Sequence, residues 1–209
     1  MKLTKKQVQA DINALPKNYK TKDIDAIIKK YVKAGADASA LRDIVLTEQQ
    51  FYRVYYYVML ERIKDVNERM AFIDNNLFFS DWWHTDCIIK YVADLQFKKA
   101  LAYAKEYVKS DDPFIRRWGY VLFISKLGRG HAKTLLPLIT EHDHYYVQMG
   151  EAWLIAELAV DEPEMVFDWM KKNSLSYKIN GKAIQKICDS FRISDTWKEH
   201  FKGLRALKK

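Results

Sequence analysis

Asp112-Pro113-Phe114-Ile115-Arg116-Arg117 has the pattern of a helix start. An aspartate is a preferred N-cap residue, and Asp111 or Asp112 could fill that position. Pro113 follows at the first helical position, where its missing N–H costs nothing. Apolar residues then continue, so the sequence predicts a helix over residues 113–127, which ends at Gly128-Arg-Gly130.

A related helix start recurs 32 residues further on, where Tyr146-Val-Gln-Met149 opens a long apolar segment over residues 145–158. The order Asp-x-x-Ile-Arg at 112–116 is typical of the second helix of a HEAT-type repeat. Such repeats stack helix pairs into a curved solenoid with a concave face. We therefore predict an all-α, HEAT-like solenoid.

The composition agrees with an all-α chain. Only 7 Gly and 4 Pro occur in 209 residues, whereas sheet-based folds use both at their many turns. Hydrophobic residues make up 49%, enough for a substantial core. Thr21 and a Thr47–Gln50 capping box are candidate helix starts. Besides the two helices above, the pattern predicts helices over residues 4–14, 22–33, 48–64, 67–77, 82–93, 96–109, 133–142, 164–172, 181–191 and 195–208.

The positive charge is concentrated at one end of the chain. Of 35 basic and 27 acidic residues, 11 basic and three acidic ones lie in residues 171–209, and the first 170 residues are balanced. A basic segment of this kind suits a phosphate backbone, although a solvated helix end is the simpler interpretation. Three of its lysines are candidate DNA contacts: Lys178, Lys182 and Lys186.

Several other classes of function are disfavoured. The chain has no phosphate-binding glycine loop, zinc-protease motif or nucleophile-elbow motif, and no CxxC. His142 and His144 form only a weak metal signal, and a polar helix cap is the more economical explanation. No signal peptide or membrane span is visible, so we expect a cytoplasmic protein. We also expect a monomer without a metal or cofactor.

Asp81-Trp-Trp-His-Thr-Asp86 is the most informative stretch for function. Trp82 and Asp86 are four residues apart and share one helical face. A carboxylate beside an aromatic wall can stabilise a cationic transition state. The same sequence is also explained by a tryptophan in the core and an aspartate in a salt bridge. Arg117 and Trp153 also lie near helix starts. In a solenoid the equivalent helix ends line one surface, so these four residues could converge.

These motifs resemble the AlkD-like family of DNA alkylation repair proteins, best over residues 48–192. Asp81–Asp86 is similar to the family's Asn-Trp-Asp-Leu-Val-Asp, and Ile115-Arg-Arg117 to its Leu-Arg-Arg. The segment from Tyr145 to Trp153 is similar to Phe-Phe-Ile-Gln-Lys-Ala-Ile-Gly-Trp. Residues 162–167 and 183–187 also fit, whereas residues 1–47 form divergent N-terminal helices.

The resemblance implies a metal-free glycosylase that removes cationic alkylated purines, such as 3-methyladenine and 7-methylguanine, from duplex DNA. Asp86 would stabilise the positive charge that develops on the deoxyribose. Trp82 and Trp153 would pack against the sugar–phosphate backbone, and Arg117 would hold a phosphate. Arg116 and Trp83 would add DNA contacts.

The sequence also departs from the family pattern. Met149 replaces a lysine, Glu151 introduces an acid, Ala156 stands where an arginine is frequent, and His84 lies between Trp82 and Asp86. Each change removes cationic character from the expected DNA-facing surface or alters the site. The alternative hypothesis is therefore a non-catalytic HEAT-like module that binds DNA structures or a protein or peptide partner.

Overall fold

The computed structural model describes residues 1–173 and 175–206. Within these residues it contains twelve α-helices, six short 3-10 helices and no β-strand. The extended segments meet only in an isolated parallel bridge between Lys2 and Asp37. The all-α prediction is confirmed, and the stacking of helix pairs into a HEAT-like solenoid with a concave face stays a prediction.

The sequence predicted one repeat domain over residues 1–209, within which the helices form two compact units. Unit 1 comprises residues 1–80 and 90–92, and unit 2 comprises residues 81–89 and 93–209. The helices of unit 1 are α1 Lys5–Asn13, α2 Thr21–Lys33, α3 Tyr52–Arg62 and α4 Val66–Asp74.

The core of unit 1 follows the apolar pattern of its sequence. In α2, Ile24, Ile27, Ile28 and Tyr31 recur at helical spacing, and all four are buried. In α3, apolar and aromatic residues surround the helix, and residues 54–58 are all buried. This helix is therefore enclosed on more than one side.

Unit 2 is organised around one long apolar helix. Its helices are α5 Trp82–Ile88, α6 Phe97–Tyr107, α7 Pro113–Val121, α8 Ala132–Leu135, α9 Tyr145–Asp161, α10 Pro163–Lys172, α11 Tyr177–Asp189 and α12 Asp195–Ala206. Helix α9 packs against α7, α10 and α11, and α7 packs also against α5 and α6. Because α9 has neighbours on several sides, it carries buried residues around most of its circumference. These packed helices position the candidate site.

Several predicted helix limits are wrong, each for a local reason. Helix α7 ends at Val121 and not at residue 127, because the chain turns back so tightly that a Cβ on Gly128 would lie 2.4 Å from the Phe123 carbonyl oxygen. The segment 133–142 is α-helical only to Leu135, since Pro137 inside it has no N–H to donate. The Thr47–Gln50 capping box does not form, since the Thr47 hydroxyl donates to the Ile44 carbonyl oxygen (3.2 Å).

Helix α11 starts earlier than predicted. Its cap is Ser176, whose hydroxyl accepts a hydrogen bond from the backbone N–H of Ile179 (3.5 Å). Gly181 is tolerated inside the helix, where the sequence predicted a boundary. As a result Lys178, Lys182 and Lys186 lie on one helix at intervals of four residues. None of the helices in the described part of the chain is long and apolar enough to cross a membrane.

Candidate active site

Asp86 lies on the first helix of unit 2. Asp81 caps α5, because its carboxylate accepts a hydrogen bond from the backbone N–H of Trp82 (2.7 Å). Trp82 is the first residue of α5, and Asp86 lies one turn later on the same face of the helix. Trp82 is 44% exposed, and the side chain of Asp86 is 19% exposed. Asp86 is therefore accessible to solvent and not sealed in the core.

Arg117 is the partner of Asp86. Asp112 caps α7 through the backbone N–H groups of Phe114 and Ile115, and Pro113 occupies the first turn, as predicted. One turn later Arg117 extends towards α5, and its Nη2 lies 2.8 Å from Asp86 Oδ1. Its side chain is only 3% exposed. This ion pair joins two helices that are far apart in sequence.

The whole Arg117 guanidinium is held in place. Besides Asp86, Nε donates to the Thr85 hydroxyl (3.2 Å) and Nη1 donates to the Tyr146 carbonyl oxygen (2.9 Å). Space for it comes from Gly150 on α9, where a Cβ would lie 3.3 Å from Arg117 Cγ. All three nitrogens therefore have protein acceptors, and Arg117 is placed to orient Asp86. The phosphate contact that the resemblance implies for Arg117 stays a prediction.

The carboxylate of Asp86 is held by one oxygen. Arg117 and the Thr85 hydroxyl (3.0 Å) both approach Oδ1. The described residues provide no hydrogen-bond donor to Oδ2. The arrangement thus fixes the carboxylate and leaves one oxygen available to water or to a ligand.

Trp82, Asp86, Arg117 and Trp153 converge on one open cleft. Its volume is about 460 Å³, and its wall is largely aromatic. The lining residues are Trp82, Asp86, Arg117, Tyr145, Tyr146, Met149, Trp153 and Lys186. All of them belong to unit 2. The predicted convergence is therefore present in the structure, although the catalytic roles stay predictions.

Helix α9 supplies further wall residues besides the predicted Trp153, and these were not assigned to the site from the sequence. Tyr145, Met149 and Trp153 recur every four residues, so they share one face of the helix. Tyr145 is 56% exposed. This spacing was visible in the sequence and could have identified Tyr145 and Met149 as cleft residues. The position of Tyr146 could not be identified in this way, because its carbonyl oxygen contributes to the site through the contact with Arg117.

Lys186 closes the cleft from α11. Its Nζ lies 5.2 Å from the centre of the Trp153 ring. It also lines a neighbouring hollow of about 290 Å³ that shares Trp153. Partial burial and the nearby positive charge of Arg117 lower the pKa of Lys186, whereas Asp86 and Asp189 oppose that shift. Among the DNA-contact candidates, Lys186 is the one that lines the cleft.

The other predicted DNA contacts lie outside the cleft lining. Lys182 Nζ donates to Gln148 Oε1 (3.1 Å) and lies 5.6 Å from the Tyr145 ring centre. Lys178 is exposed on the same face of α11. Arg116 Nε donates to the Ser110 carbonyl oxygen (2.8 Å), and Trp83 is partly buried with its ring edge-on to His84.

Glu151 does not lie on the DNA-facing surface where the sequence led us to expect it. It is fully buried, and its Oε1 accepts hydrogen bonds from the backbone N–H groups of Thr140 (3.0 Å) and Glu141 (2.9 Å). Burial raises its pKa, although these hydrogen bonds favour the charged form. Its function is to hold the loop before α9, where Glu141 adopts a positive φ of 58°. The interpretation of Glu151 as a loss of DNA-facing charge is therefore wrong.

His84 is also a core residue. It is fully buried on α5, and burial lowers its pKa to about 4. His142 Nδ1 accepts a hydrogen bond from the backbone N–H of His144 (3.0 Å) just before α9 starts. The described residues form no group of three or more His, Cys, Asp or Glu side chains that could hold a metal ion.

The comparisons with known proteins give one match. The family model of the DNA alkylation repair enzymes matches residues 18–187, well over half of the chain. The match begins before residue 48 and so extends into the segment that the sequence analysis treated as divergent. No curated protein and no solved structure matches the chain. On this evidence the chain belongs to the DNA alkylation repair enzyme family, and its general role is DNA repair.

Proposed function

We propose that the protein is a DNA glycosylase that hydrolyses the N-glycosidic bond of cationic alkylated purines in duplex DNA. The observation that carries this proposal is the convergence of Asp86, Arg117 and two tryptophans in one open cleft. Trp82 and Trp153 are 71 residues apart in the chain. Residues with purely structural roles would have no reason to gather around a solvent-accessible carboxylate.

Asp86 supplies the charge for this reaction. When the N-glycosidic bond breaks, positive charge develops on the deoxyribose, and a fixed carboxylate stabilises that charge more than it stabilises the ground state. Arg117 and Thr85 hold Oδ1. The oxygen Oδ2 then faces the sugar or orients the attacking water. Arg117 acts as a positioning residue and keeps the carboxylate from rotating.

The aromatic wall suits a sugar–phosphate backbone better than an enclosed base. The cleft is open, and Trp82 and Tyr145 expose about half of their surface. Flat aromatic faces contact a deoxyribose without specific hydrogen bonds. An alkylated purine already carries a positive charge and leaves readily, so a deep base pocket is not required for its release.

Alkylated duplex DNA is the proposed partner, and we propose that the protein binds it as a monomer. Lys178, Lys182 and Lys186 form a row along α11, and Arg116 and Trp83 provide further candidate contacts. Cations spaced along one helix can follow successive phosphates of a strand. Cation–π contacts of Lys182 with Tyr145 and of Lys186 with Trp153 tie this row to the aromatic wall.

The proposal is tested with two duplexes of the same sequence, one with a single 7-methylguanine and one with a neutral hypoxanthine. We expect the protein to release 7-methylguanine well above the spontaneous rate and to leave hypoxanthine in place, because Asp86 contributes most where the leaving base is already cationic. Tight DNA binding without release of 7-methylguanine would refute the glycosylase and favour the non-catalytic binding module.

A further inference from the structure

Lys186 differs from the other lysines of α11 in its surroundings. Lys182 donates to Gln148 Oε1 (3.1 Å) and to the carbonyl oxygen of Lys178 (3.4 Å). In contrast, no carboxylate of the described residues lies within ion-pair distance of Lys186 Nζ. The Lys186 amine rests against the Trp153 ring and faces the cleft that contains Asp86. It is thus a lysine placed in a candidate active site without a structural ion pair.

The environment of Lys186 also lowers the pKa of its amine. Burial of the amine has the largest effect and lowers its pKa, and the positive charge of Arg117 lowers it further. The negative charges of Asp86 and Asp189 raise the pKa and offset only part of this shift. Desolvation next to a second cation is a common way in which proteins turn a lysine into a nucleophile for carbonyl groups. A lysine that served only as a phosphate contact would gain nothing from this environment.

We propose that Lys186 gives the cleft an abasic-site lyase activity, in which its amine attacks C1′ of an abasic deoxyribose. The choice of substrate rests on the proposed function, because base excision leaves an abasic site in the cleft. The reaction itself needs only the amine, the sugar aldehyde and a base.

The chemistry balances without an oxidant or a reductant. The Nζ lone pair adds to the C1′ aldehyde of the ring-opened sugar, and loss of water gives a protonated Schiff base. Removal of a C2′ proton by Asp86 forms the C2′–C3′ double bond as the C3′–O bond breaks. The phosphate then leaves on the 5′ end of the downstream strand. Hydrolysis of the Schiff base releases the unsaturated aldehyde and regenerates Lys186.

The test uses a duplex with one preformed abasic site and sodium borohydride, which reduces a Schiff base to a stable amine. We expect the wild-type chain to form a covalent adduct with the DNA and Lys186→Arg to form at least 10-fold less. Arginine keeps the positive charge but is not a nucleophile. Lys109→Arg is the control, because Lys109 is an exposed lysine of unit 2 that pairs with Glu106 (3.0 Å) away from the cleft.

Peptide mass spectrometry of the wild-type adduct gives a second result that does not depend on the folding of a variant. The reduced sugar should be attached to Lys186. Attachment mainly to another lysine, or no adduct under conditions in which the protein binds the abasic duplex, would overturn the proposal. Because the abasic site is preformed, base release plays no part in the experiment. Base release without an adduct would refute only the lyase, and an adduct without base release would refute only the glycosylase.

Discussion

The contact between Arg117 and Asp86 makes a quantitative prediction about stability. Arg117 donates to three acceptors, and its side chain is 3% exposed. Replacing it with methionine keeps most of the volume but leaves Asp86 and the Tyr146 carbonyl oxygen without their donor. Removal of one partner from a buried ion pair costs about 3–5 kcal/mol, and we expect the lower end because the Asp86 side chain is 19% exposed.

A double-mutant cycle isolates the pair from the other effects of each substitution. Arg117→Met, Asp86→Ala and the double variant are unfolded with urea, and the coupling energy is calculated from the free energies of unfolding. Residues in direct contact within one network couple by about 0.5–3 kcal/mol, and we expect this buried pair to lie in the upper part of that range. The stability loss of the double variant should therefore be smaller than the sum of the two single losses.

The matched control is the ion pair between Lys126 and Asp94, which also lies in unit 2. Its side chains are 59% and 74% exposed, so the coupling energy should stay below about 1 kcal/mol. If the Arg117–Asp86 coupling were no larger than that of the control pair, Arg117 would not hold Asp86 in solution. The role of Arg117 as a positioning residue would then be wrong.

Three further predictions concern pH, packing and salt. Burial lowers the pKa of His84 from 6.5 to about 4, so between these two pH values the imidazole is protonated in the unfolded chain but not in the folded chain. The free energy of unfolding of the wild type should therefore fall by up to about 1.4 kcal/mol per pH unit on acidification through this range. His84→Phe should flatten that part of the Tm–pH profile. Equal slopes for both proteins would contradict this. Gly119→Ala places a Cβ 2.8 Å from Val108 Cγ1 and should lower the free energy of unfolding in urea by about 1–3 kcal/mol. An unchanged urea midpoint would show that α6 and α7 can move apart to accept the methyl group. Changing Lys178, Lys182 and Lys186 to glutamine should reduce the slope of log affinity for duplex DNA against log salt concentration by up to about 3. An unchanged slope would show that these lysines do not contact the DNA.

The local features of the fold followed from the sequence because they depend on neighbouring residues. The position of α2 and the Asp112 cap of α7 are determined within one or two turns of chain. The end of α7 was mispredicted although it is also local, because there the chain turns back so that Gly128 approaches the carbonyl oxygen of Phe123, five residues earlier. A contact of that kind is not encoded in helical periodicity.

The central residues of the candidate site were predictable from the sequence, but their contacts were not. The spacing of Trp82 and Asp86 and the resemblance of three separate segments to one family identified Trp82, Asp86, Arg117 and Trp153 among the residues that line the cleft. However, the sequence could not show that Arg117 would be buried, because its acceptors are the Thr85 hydroxyl and the Tyr146 carbonyl oxygen on two other helices. For the same reason Glu151 was taken for a surface acid, whereas it caps a loop.

The central claim is that the charge of Asp86 drives base release. It is tested most directly by the single-turnover rate of 7-methylguanine release by wild type and Asp86→Asn, with the exposed Asp94→Asn as a control of equal charge change. Asparagine keeps the volume and can still accept from Arg117. We expect Asp86→Asn to release the base at least about 100-fold more slowly, with DNA affinity within a few-fold of wild type, and the control to lose no activity. A rate for Asp86→Asn close to that of wild type would show that the charge of Asp86 does not drive base release.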